Sequence, residues 1–210
     1  VIEAVAITED GGIIPTTSVG NSASFAIFAK EVIVEINTNL SPAFEGLHDI
    51  YIPSYRPTRQ PIPLTKVDER IGTAAINIDP AKIVGIVFNS ELHDSPSTVT
   101  EPDDETQGIA NHLIAFFEKE VAEGRLPKDL GPLQAGIGSI ANAVLTGLKD
   151  SNFEDLVMYS EVLQDCTFEL IDAGKMKFAS GSSITLSAKY GEKVFNNLEQ
   201  YKDKLVLRPQ

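Results

Sequence analysis

The second half of the chain alternates between short apolar runs and segments with helical spacing, and this alternation limits the folds that it can adopt. The strand-like runs are 155–161, 177–187 and 205–209. The helix-like segments are 103–123, 165–174 and 191–204. Strands that alternate with helices predict a parallel or mostly parallel sheet covered by helices, so we expect an α/β fold.

The first half has strand-like runs as well, but its pattern is less regular. The predicted elements are a strand at 1–8, a helix at 23–31 capped by Asn21 or Ser22, and strands at 32–37 and 82–89. Residues 38–70 show no clear periodicity and contain five prolines, which is typical of functional loops or linkers. The polar segment DSPSTVTEPDDE predicts a boundary between one domain in residues 1–100 and a second in residues 101–210.

Charge and cysteine content restrict the partners and the compartment. The chain has 30 acidic and 17 basic residues, a net charge of −13, which argues against nucleic acid and anionic membranes as partners. A single cysteine, Cys166, excludes a disulfide framework and fits a reducing compartment. No apolar run approaches the roughly 18 residues that suggest a membrane span. Because the chain is strand-like from Val1 onward and lacks an initial methionine, we expect a fragment of a longer protein.

A Gly-x-Gly turn follows a short apolar run and precedes a helix of small residues. Gly136, Ile137 and Gly138 form this turn within PLQAGIGSIANAVLTGL. In a dinucleotide-binding fold, such a turn contacts the pyrophosphate, and an acidic residue about 20 positions later holds the ribose; Glu161 is a candidate. Pro132 argues against this interpretation, because proline is disfavoured in a central parallel strand. A tight turn that serves packing alone is a further alternative.

The turn and Glu161 follow consecutive predicted strands. Functional groups gather at the carboxyl ends of parallel strands, so the two meet in one crevice if their strands are neighbours. A carboxylate that faces oriented N–H groups at a helix start suits attack on an activated carbonyl such as a thioester. Alternatively, Glu161 caps the helix that follows it, and the chain is a non-catalytic α/β binding module.

Several longer stretches resemble the acetyl-CoA hydrolase/transferase family, including its branch that moves CoA between succinyl-CoA and acetate. The stretches are LQAGIGSIANAVLTGL, YSEVLQD, ELIDAGKMKFASGSS, EGLHDIY, VDERIG and VEINTNLSP. The resemblance implies an α/β fold with two similar, mostly parallel CoA-transferase-type domains, each only partly covered by this chain. It identifies the chain as a middle fragment. The family's N-terminal segment would precede Val1, and its glycine-rich CoA-binding segment would follow Gln210.

The resemblance also implies roles for particular residues. Glu161 would be the nucleophile, with Ser160 where threonine is common in the family. The backbone N–H of Ile137, between Gly136 and Gly138, would contribute to the oxyanion hole. The implied reaction is ping-pong and passes through an acyl-glutamyl anhydride and a glutamyl-CoA thioester.

The resemblance further implies the reaction's partners. Acyl-CoA and CoA would be substrates, with small carboxylates such as acetate or succinate, and no metal or redox cofactor would be needed. The protein would be a homodimer in the cytoplasm, or in the mitochondrion of a eukaryote. The loop SELHDSPS contains no arginine where a substrate-facing cation would be expected.

Other reactive residues point less clearly to a site. His48, His93 and His112 are scattered and lack metal-ligand spacing. Cys166 begins a predicted helix, which could lower the pKa of its thiol, although a packing role is favoured. The small residues of TTSVGNS, 16–22, precede a helix and could face an acyl pocket.

Overall fold

The computed structural model describes residues 1–91, 96–97 and 102–210. It contains two four-stranded sheets and one two-stranded sheet, and helices connect most of the parallel strands. The mixed α/β class predicted from the alternating pattern is therefore confirmed. The proposed boundary near residue 100 adjoins residues outside the described ranges, and the division into two domains stays a prediction.

The first sheet has the order β2-β1-β3-β4. Its strands are β1 (Ile2–Ile7), β2 (Ile13–Pro15), β3 (Val32–Asn37) and β4 (Ile83–Asn89). Only β2 runs antiparallel to its neighbour, and it was not predicted, because three residues are too few to show a period. Helix α1 (Ser22–Phe28) precedes β3; Asn21 stands at its N-cap but makes no side-chain capping bond, so the predicted cap is wrong.

The second sheet is parallel throughout, with the order β10-β8-β6-β5. Its strands are β5 (Pro132–Leu133), β6 (Leu156–Tyr159), β8 (Met176–Gly181) and β10 (Leu205–Leu207). A two-stranded parallel sheet pairs β7 (Val162–Leu163) with β9 (Ser183–Ile184). The helices are α2 (Asp104–Ala122), α3 (Ser139–Asp150), α4 (Asp165–Asp172) and α5 (Ala188–Asn196).

Burial explains why these runs form strands and helices. Leu156 and Met158 of β6 are buried while Tyr159 is exposed, the period of two that a strand produces. Helix α3 buries Leu145 and Leu148 and packs between α2 and α4. One contiguous apolar core includes side chains from both four-stranded sheets.

Helix α5 begins and ends earlier than predicted. It covers Ala188–Asn196 instead of 191–204, because the Ser187 hydroxyl accepts a hydrogen bond from the Tyr190 amide at 3.4 Å and caps it. Two short 3-10 turns, Leu198–Gln200 and Lys202–Lys204, replace its predicted end.

The start of α2 is stabilised by a reciprocal cap. The Asp103 carboxylate accepts from the Thr106 amide at 2.8 Å, and the Thr106 hydroxyl accepts from the Asp103 amide at 2.9 Å. Pro102 therefore precedes the cap and lies outside the first turn of the helix.

Asp103→Ala is expected to lower the free energy of unfolding by about 1 kcal/mol, because a helix N–H loses its acceptor. Urea unfolding measures the loss. Asp103→Asn is the matched control and should stay close to the unsubstituted protein, since asparagine caps as well as aspartate. An equal loss in both variants would contradict the capping role.

The N-terminal half also pairs directly with the second sheet. The Asp49 amide donates to the Leu207 carbonyl and the Leu207 amide to the Leu47 carbonyl, both at 2.9 Å. Residues 47–49, from the stretch EGLHDIY, thus lie beside β10. This pairing brings an early loop to the edge of the later sheet.

Candidate active site

The Gly-x-Gly turn lies between β5 and α3, as predicted. Gly138 has φ +138° at the helix N-cap, a conformation that side chains with a Cβ rarely adopt. It offers no side chain to cap the helix, and Ile137 is 74% exposed. Within the described ranges, the amides of Ile137 and Gly138 donate to no backbone acceptor. These N–H groups at a helix start remain available to an anion.

A cavity of about 530 Å³ opens at this turn. Besides the turn, apolar side chains of α2 and α3 line it, among them Phe117, Ile140 and Val144. Among the residues that the structure describes, no charged side chain is part of the lining. The cavity can therefore accept a neutral, largely apolar group with an electron-rich oxygen directed at the free amides.

Glu161 lies at the same edge of the sheet as the turn. It follows β6, which pairs directly with β5. The Ser160 hydroxyl donates to the Ala135 carbonyl at 2.8 Å, and the Ala135 amide contacts the same hydroxyl at 3.4 Å. The residues immediately before Gly136 and immediately before Glu161 are thus joined. The two strands are therefore neighbours, which is the condition for the turn and Glu161 to share one crevice.

The main chain of Glu161 is held while its carboxylate is exposed. Its carbonyl accepts from the Ser182 amide at 2.7 Å and from the Ser182 hydroxyl at 3.0 Å. Its Oε1 accepts from Gln210 Nε2 at 2.7 Å. Helix α4 has Gln164 at its N-cap without a side-chain capping bond, so the hypothesis that Glu161 caps this helix is wrong. The carboxylate and the free backbone donors thus follow neighbouring strands at one edge of the sheet, although Glu161 does not line the 530 Å³ cavity.

The strand order bears on the dinucleotide hypothesis. Dinucleotide-binding sheets bind their ligand where the strand order reverses. In the part of the chain that the structure describes, β5, β6, β8 and β10 follow one another in a single direction, without a reversal. Pro132 does not count against a dinucleotide site, because this residue begins an edge strand, where proline is tolerated. Strand order, and not proline, disfavours a dinucleotide site.

The early segment 16–22 also reaches this region. The Val19 amide donates to the Ser182 carbonyl at 2.9 Å and the Ile184 amide to the Thr17 carbonyl at 2.8 Å. Thr17 lines a second cavity of about 710 Å³, to which both halves of the chain contribute. The interpretation that 16–22 faces an acyl pocket stays a prediction.

A buried ion pair behind the site was missed by the sequence reasoning. Arg208 Nη1 contacts Asp49 Oδ2, and the two side chains are 7% and 1% exposed. Arg208 Nε also donates to the Ser180 hydroxyl at 2.8 Å, and the Ser180 carbonyl accepts from the Ser160 amide at 2.8 Å. A signal was present, because each charged residue interrupts an apolar run, in LHDIY and LVLRP. Nothing in the sequence indicated that they were partners.

The histidines do not form a metal site in the described ranges. No three His, Cys, Asp or Glu side chains there come together as metal ligands would. His112 is exposed on α2. His93 lies outside the described residues together with the rest of 92–95, which are half of the loop SELHDSPS. His48 is buried, with Nε2 2.9 Å from the Thr16 carbonyl. Its Nδ1 has no hydrogen-bond partner among the described residues. Its ring is therefore neutral and carries its proton on Nε2.

Burial lowers the pKa of His48 to about 4, from 6.5. Below pH 6.5 the unfolded chain binds a proton that the folded chain does not, so stability falls as pH decreases from about 6.5 to 4, by up to about 3 kcal/mol. Urea unfolding at several pH values should show this loss in the unsubstituted protein. His48→Gln, which cannot titrate, should show a correspondingly shallower pH dependence. Identical pH profiles of the unsubstituted protein and His48→Gln would contradict this contribution of His48 to stability.

Cys166 is buried, and its thiol is 3.7 Å from Asn142 Oδ1. Desolvation raises the pKa of this thiol to about 11. The expectation that the helix start could lower this pKa is therefore wrong, since the effect of burial is larger. The thiol is therefore a buried side chain of the core.

None of the helices in the described ranges combines the length and the apolarity needed to cross a bilayer.

Comparison with known proteins gives consistent results. Residues 1–88 match the family model "Acetyl-CoA hydrolase/transferase N-terminal domain". The whole chain is 47% identical to an acetyl-CoA hydrolase of Schizosaccharomyces pombe and 45% identical to one of Saccharomyces cerevisiae, over 210 residues in each case. In both comparisons all of this chain is aligned, and it spans 40% of the relative's length.

Two solved structures share the fold. RipA from Yersinia pestis superposes with a TM-score of 0.63 at 20% identity, over 99% of this chain and 39% of its own. A 4-hydroxybutyrate CoA-transferase from Porphyromonas gingivalis gives 0.61 at 21% identity, over 99% of this chain and 43% of its own. At these identities the likeness concerns the fold.

Proposed function

Since this chain belongs to the acetyl-CoA hydrolase/transferase family, we propose that the protein transfers coenzyme A from an acyl-CoA to a carboxylate or to water, with Glu161 as the nucleophile. One observation carries the assignment of Glu161. The Ser160–Ala135 hydrogen bonds join the residue before Glu161 to the residue before the Gly-x-Gly turn. A carboxylate and free backbone N–H groups thereby share one edge of the sheet.

In the first step, a carboxylate oxygen of Glu161 attacks the thioester carbonyl of the acyl-CoA. A C–O bond forms, the C–S bond breaks, and CoA leaves as a thiolate, which gives a mixed anhydride. Negative charge develops on the carbonyl oxygen during the attack. The free amides of Ile137 and Gly138 are the donors that suit this charge, and such donors accelerate acyl transfer because they need no reorganisation.

In the second step, the thiolate attacks the side-chain carbonyl carbon of Glu161. A C–S bond forms and the anhydride C–O bond breaks, so the carboxylic acid leaves and a glutamyl-CoA thioester remains. A second carboxylate reverses both steps and leaves as the new acyl-CoA. If water attacks the thioester instead, the net reaction is hydrolysis and Glu161 is regenerated.

For substrates, we propose acetyl-CoA or succinyl-CoA together with acetate or succinate. The uncharged lining of the 530 Å³ cavity supports an acyl or pantetheine chain there. We also propose a homodimer, which sedimentation velocity tests. A cytoplasmic location, or a mitochondrial one in a eukaryote, is supported by the buried thiol of the single cysteine and is tested by fractionation.

The proposal is tested by trapping the covalent intermediate in the complete protein. The protein is mixed with acetyl-CoA, quenched in acid and digested, and the peptide spanning residues 155–175 is weighed. We expect this peptide to gain the mass of CoA less water, on Glu161. An unmodified peptide from an enzyme that turns over acetyl-CoA would rule out the covalent route.

A nicotinamide cofactor titration tests the dinucleotide alternative on the same preparation. The uniform strand order leads us to expect no binding of NADH or NADPH. Saturable binding that Gly138→Ala abolishes would reinstate that alternative.

A further inference from the structure

One loop of this acidic chain carries an excess of positive charge. The basic loop, residues 50–67, contains Arg56, Arg59 and Lys66 but no aspartate or glutamate, whereas the whole chain has a net charge of −13. All three basic residues are exposed, and within the described ranges none of them forms an ion pair. The loop therefore presents uncompensated positive charge to an anionic ligand.

Local contacts order the basic loop, although it contains no helix or strand. The Thr58 amide donates to the Tyr55 carbonyl at 2.9 Å, and the Ser54 hydroxyl donates to the Thr58 carbonyl at 3.0 Å. These bonds close a turn around Arg56. Four prolines restrict the remaining backbone of the loop. A loop that is held in this way loses little conformational entropy when a ligand binds.

The ends of the basic loop are fixed beside the sheet edge where Glu161 lies. Ile50 and Thr73 exchange backbone hydrogen bonds of 2.7 and 3.0 Å and close the base of the loop. Arg208, which directly follows β10, donates from Nη2 to the Val67 carbonyl at 3.1 Å. Because β10, β8 and β6 are parallel neighbours, the end of β10 and Glu161 are at the same edge of the sheet.

Helix α1 relates the turn of the basic loop to the candidate site. Tyr55 packs edge to face on Phe28, the last residue of α1, with ring centroids 5.0 Å apart. Before the other end of α1, the Gly20 carbonyl accepts from the Gln210 amide at 3.1 Å, and the Gln210 side chain contacts Glu161. The seven residues of α1 span about 10 Å. The turn of the basic loop is therefore separated from the region of Glu161 by the length of this short helix.

This separation suits one part of the proposed substrate. CoA carries its sulfur at one end of the pantetheine arm and its phosphates at the other end. A protein with a large negative net charge repels such a ligand unless cations are concentrated where the phosphates lie. Arginine suits this task, because its planar guanidinium group donates parallel hydrogen bonds to phosphate oxygens. A nucleic acid or an anionic membrane would also meet the acidic remainder of the chain, which disfavours these larger partners.

We propose that the basic loop binds the phosphates of CoA through Arg56 and Arg59 while the thioester is held at Glu161. The inference rests on the proposed function and adds to it a phosphate-binding site in the first half of the chain. The pantetheine arm then extends from the basic loop to the carboxyl edge of the second sheet. Because both arginines are exposed, salt weakens their attraction to phosphate.

Two double variants of the complete protein test the site. Arg56→Gln with Arg59→Gln removes two positive charges from the basic loop. Arg125→Gln with Lys128→Gln is the matched control, because it removes two exposed positive charges between α2 and β5, before β5 and away from the turn that follows this strand. The kcat/KM of each variant is measured with acetyl-CoA and with acetyl-pantetheine, which lacks the phosphates. Titration calorimetry measures the affinity for CoA itself, and urea unfolding is followed in parallel.

We expect the loop variant to lose on the order of 10-fold in kcat/KM with acetyl-CoA and in affinity for CoA, because hydrogen bonds to charged phosphates are lost. With acetyl-pantetheine it should equal the unsubstituted protein, since this substrate has no phosphate to bind. The control variant should equal the unsubstituted protein with both substrates. Added salt should lower kcat/KM for acetyl-CoA more in the unsubstituted protein than in the loop variant.

Three results would overturn the inference. The first is an unchanged kcat/KM with acetyl-CoA in the loop variant. The second is an equal loss with acetyl-CoA and acetyl-pantetheine, because a disturbed fold would affect both substrates. The third is an equal loss in the control variant, which would reduce the effect to net charge.

These results are distinguishable from failure of the proposed function. If the protein does not transfer CoA, the unsubstituted form turns over neither thioester. The calorimetric titration then still tests the phosphate site, because it requires no turnover. Equal affinity for CoA in the loop variant and the unsubstituted protein would overturn the phosphate site alone, and no CoA binding by the unsubstituted protein would overturn both proposals.

Discussion

Replacing Glu161 by alanine is expected to abolish CoA transfer and hydrolysis, with a loss in kcat on the order of 10⁴-fold or more, as removal of a covalent nucleophile causes. Glu161→Asp should lose about 100-fold or more, because one methylene displaces the attacking oxygen by more than 1 Å. The measurement is the rate of thiol release from acetyl-CoA in the complete protein. The folded state should be little affected, since the carboxylate is exposed and such surface changes shift stability by about 0.5 kcal/mol or less.

The matched control for this prediction is Glu118→Gln. Glu118 is likewise exposed, but it lies on α2, outside the cavity lining and the Glu161 contacts. Its activity should equal that of the unsubstituted protein. Retention of turnover in Glu161→Ala would refute the assignment of the nucleophile, whatever the control shows.

Breaking the buried pair of Asp49 and Arg208 is expected to cost about 3–5 kcal/mol of unfolding free energy. In Asp49→Asn, the guanidinium remains in a site that is 7% exposed without a countercharge. In Arg208→Met, the donors left to the carboxylate within the described ranges are backbone amides, including that of Gly72 at 2.7 Å. Urea unfolding measures both variants. The double variant should lose less than the sum of the two, because neither charge is then left unpaired.

The control for the ion pair is an exposed pair elsewhere. Lys177 Nζ lies 3.0 Å from Asp155 Oδ1, with both side chains 63% exposed. Asp155→Asn should cost less than about 1 kcal/mol, because water screens the attraction. It also avoids strain, since Asp155 has φ +63° and asparagine tolerates this conformation. Equal losses in Asp49→Asn and Asp155→Asn would show that burial does not strengthen the Asp49 contact.

Elements with a long or undisturbed period were predictable from the sequence. The strand predicted at 32–37 is β3, Val32–Asn37, and the helix predicted at 103–123 is α2, Asp104–Ala122. Shorter strands that depend on tertiary contacts were not predictable. Strand β2 has three residues, and β7 and β9 have two each. So few residues show no period, and pairing with distant strands determines whether they form.

The candidate site was predictable in its parts and not in its assembly. The two glycines predicted the turn, and Gly138 adopts a φ that favours glycine. The strand-like run 155–161 placed Glu161 at the end of the next strand. Whether those strands are neighbours depends on sheet order, which local propensity does not encode. The structure answers this through β5–β6 pairing and through the Ser160–Ala135 hydrogen bonds.

By itself, the sequence determined the α/β class, the turn, the position of Glu161 at a strand end and the family, because periodicity and motifs are local properties of the chain. Only the tertiary structure decided that Asp49 lies against Arg208, 159 positions away, and that Gln210 holds Glu161. Such pairs are selected by burial and by the need to satisfy charges and donors excluded from water. These conditions arise only when distant segments are packed together.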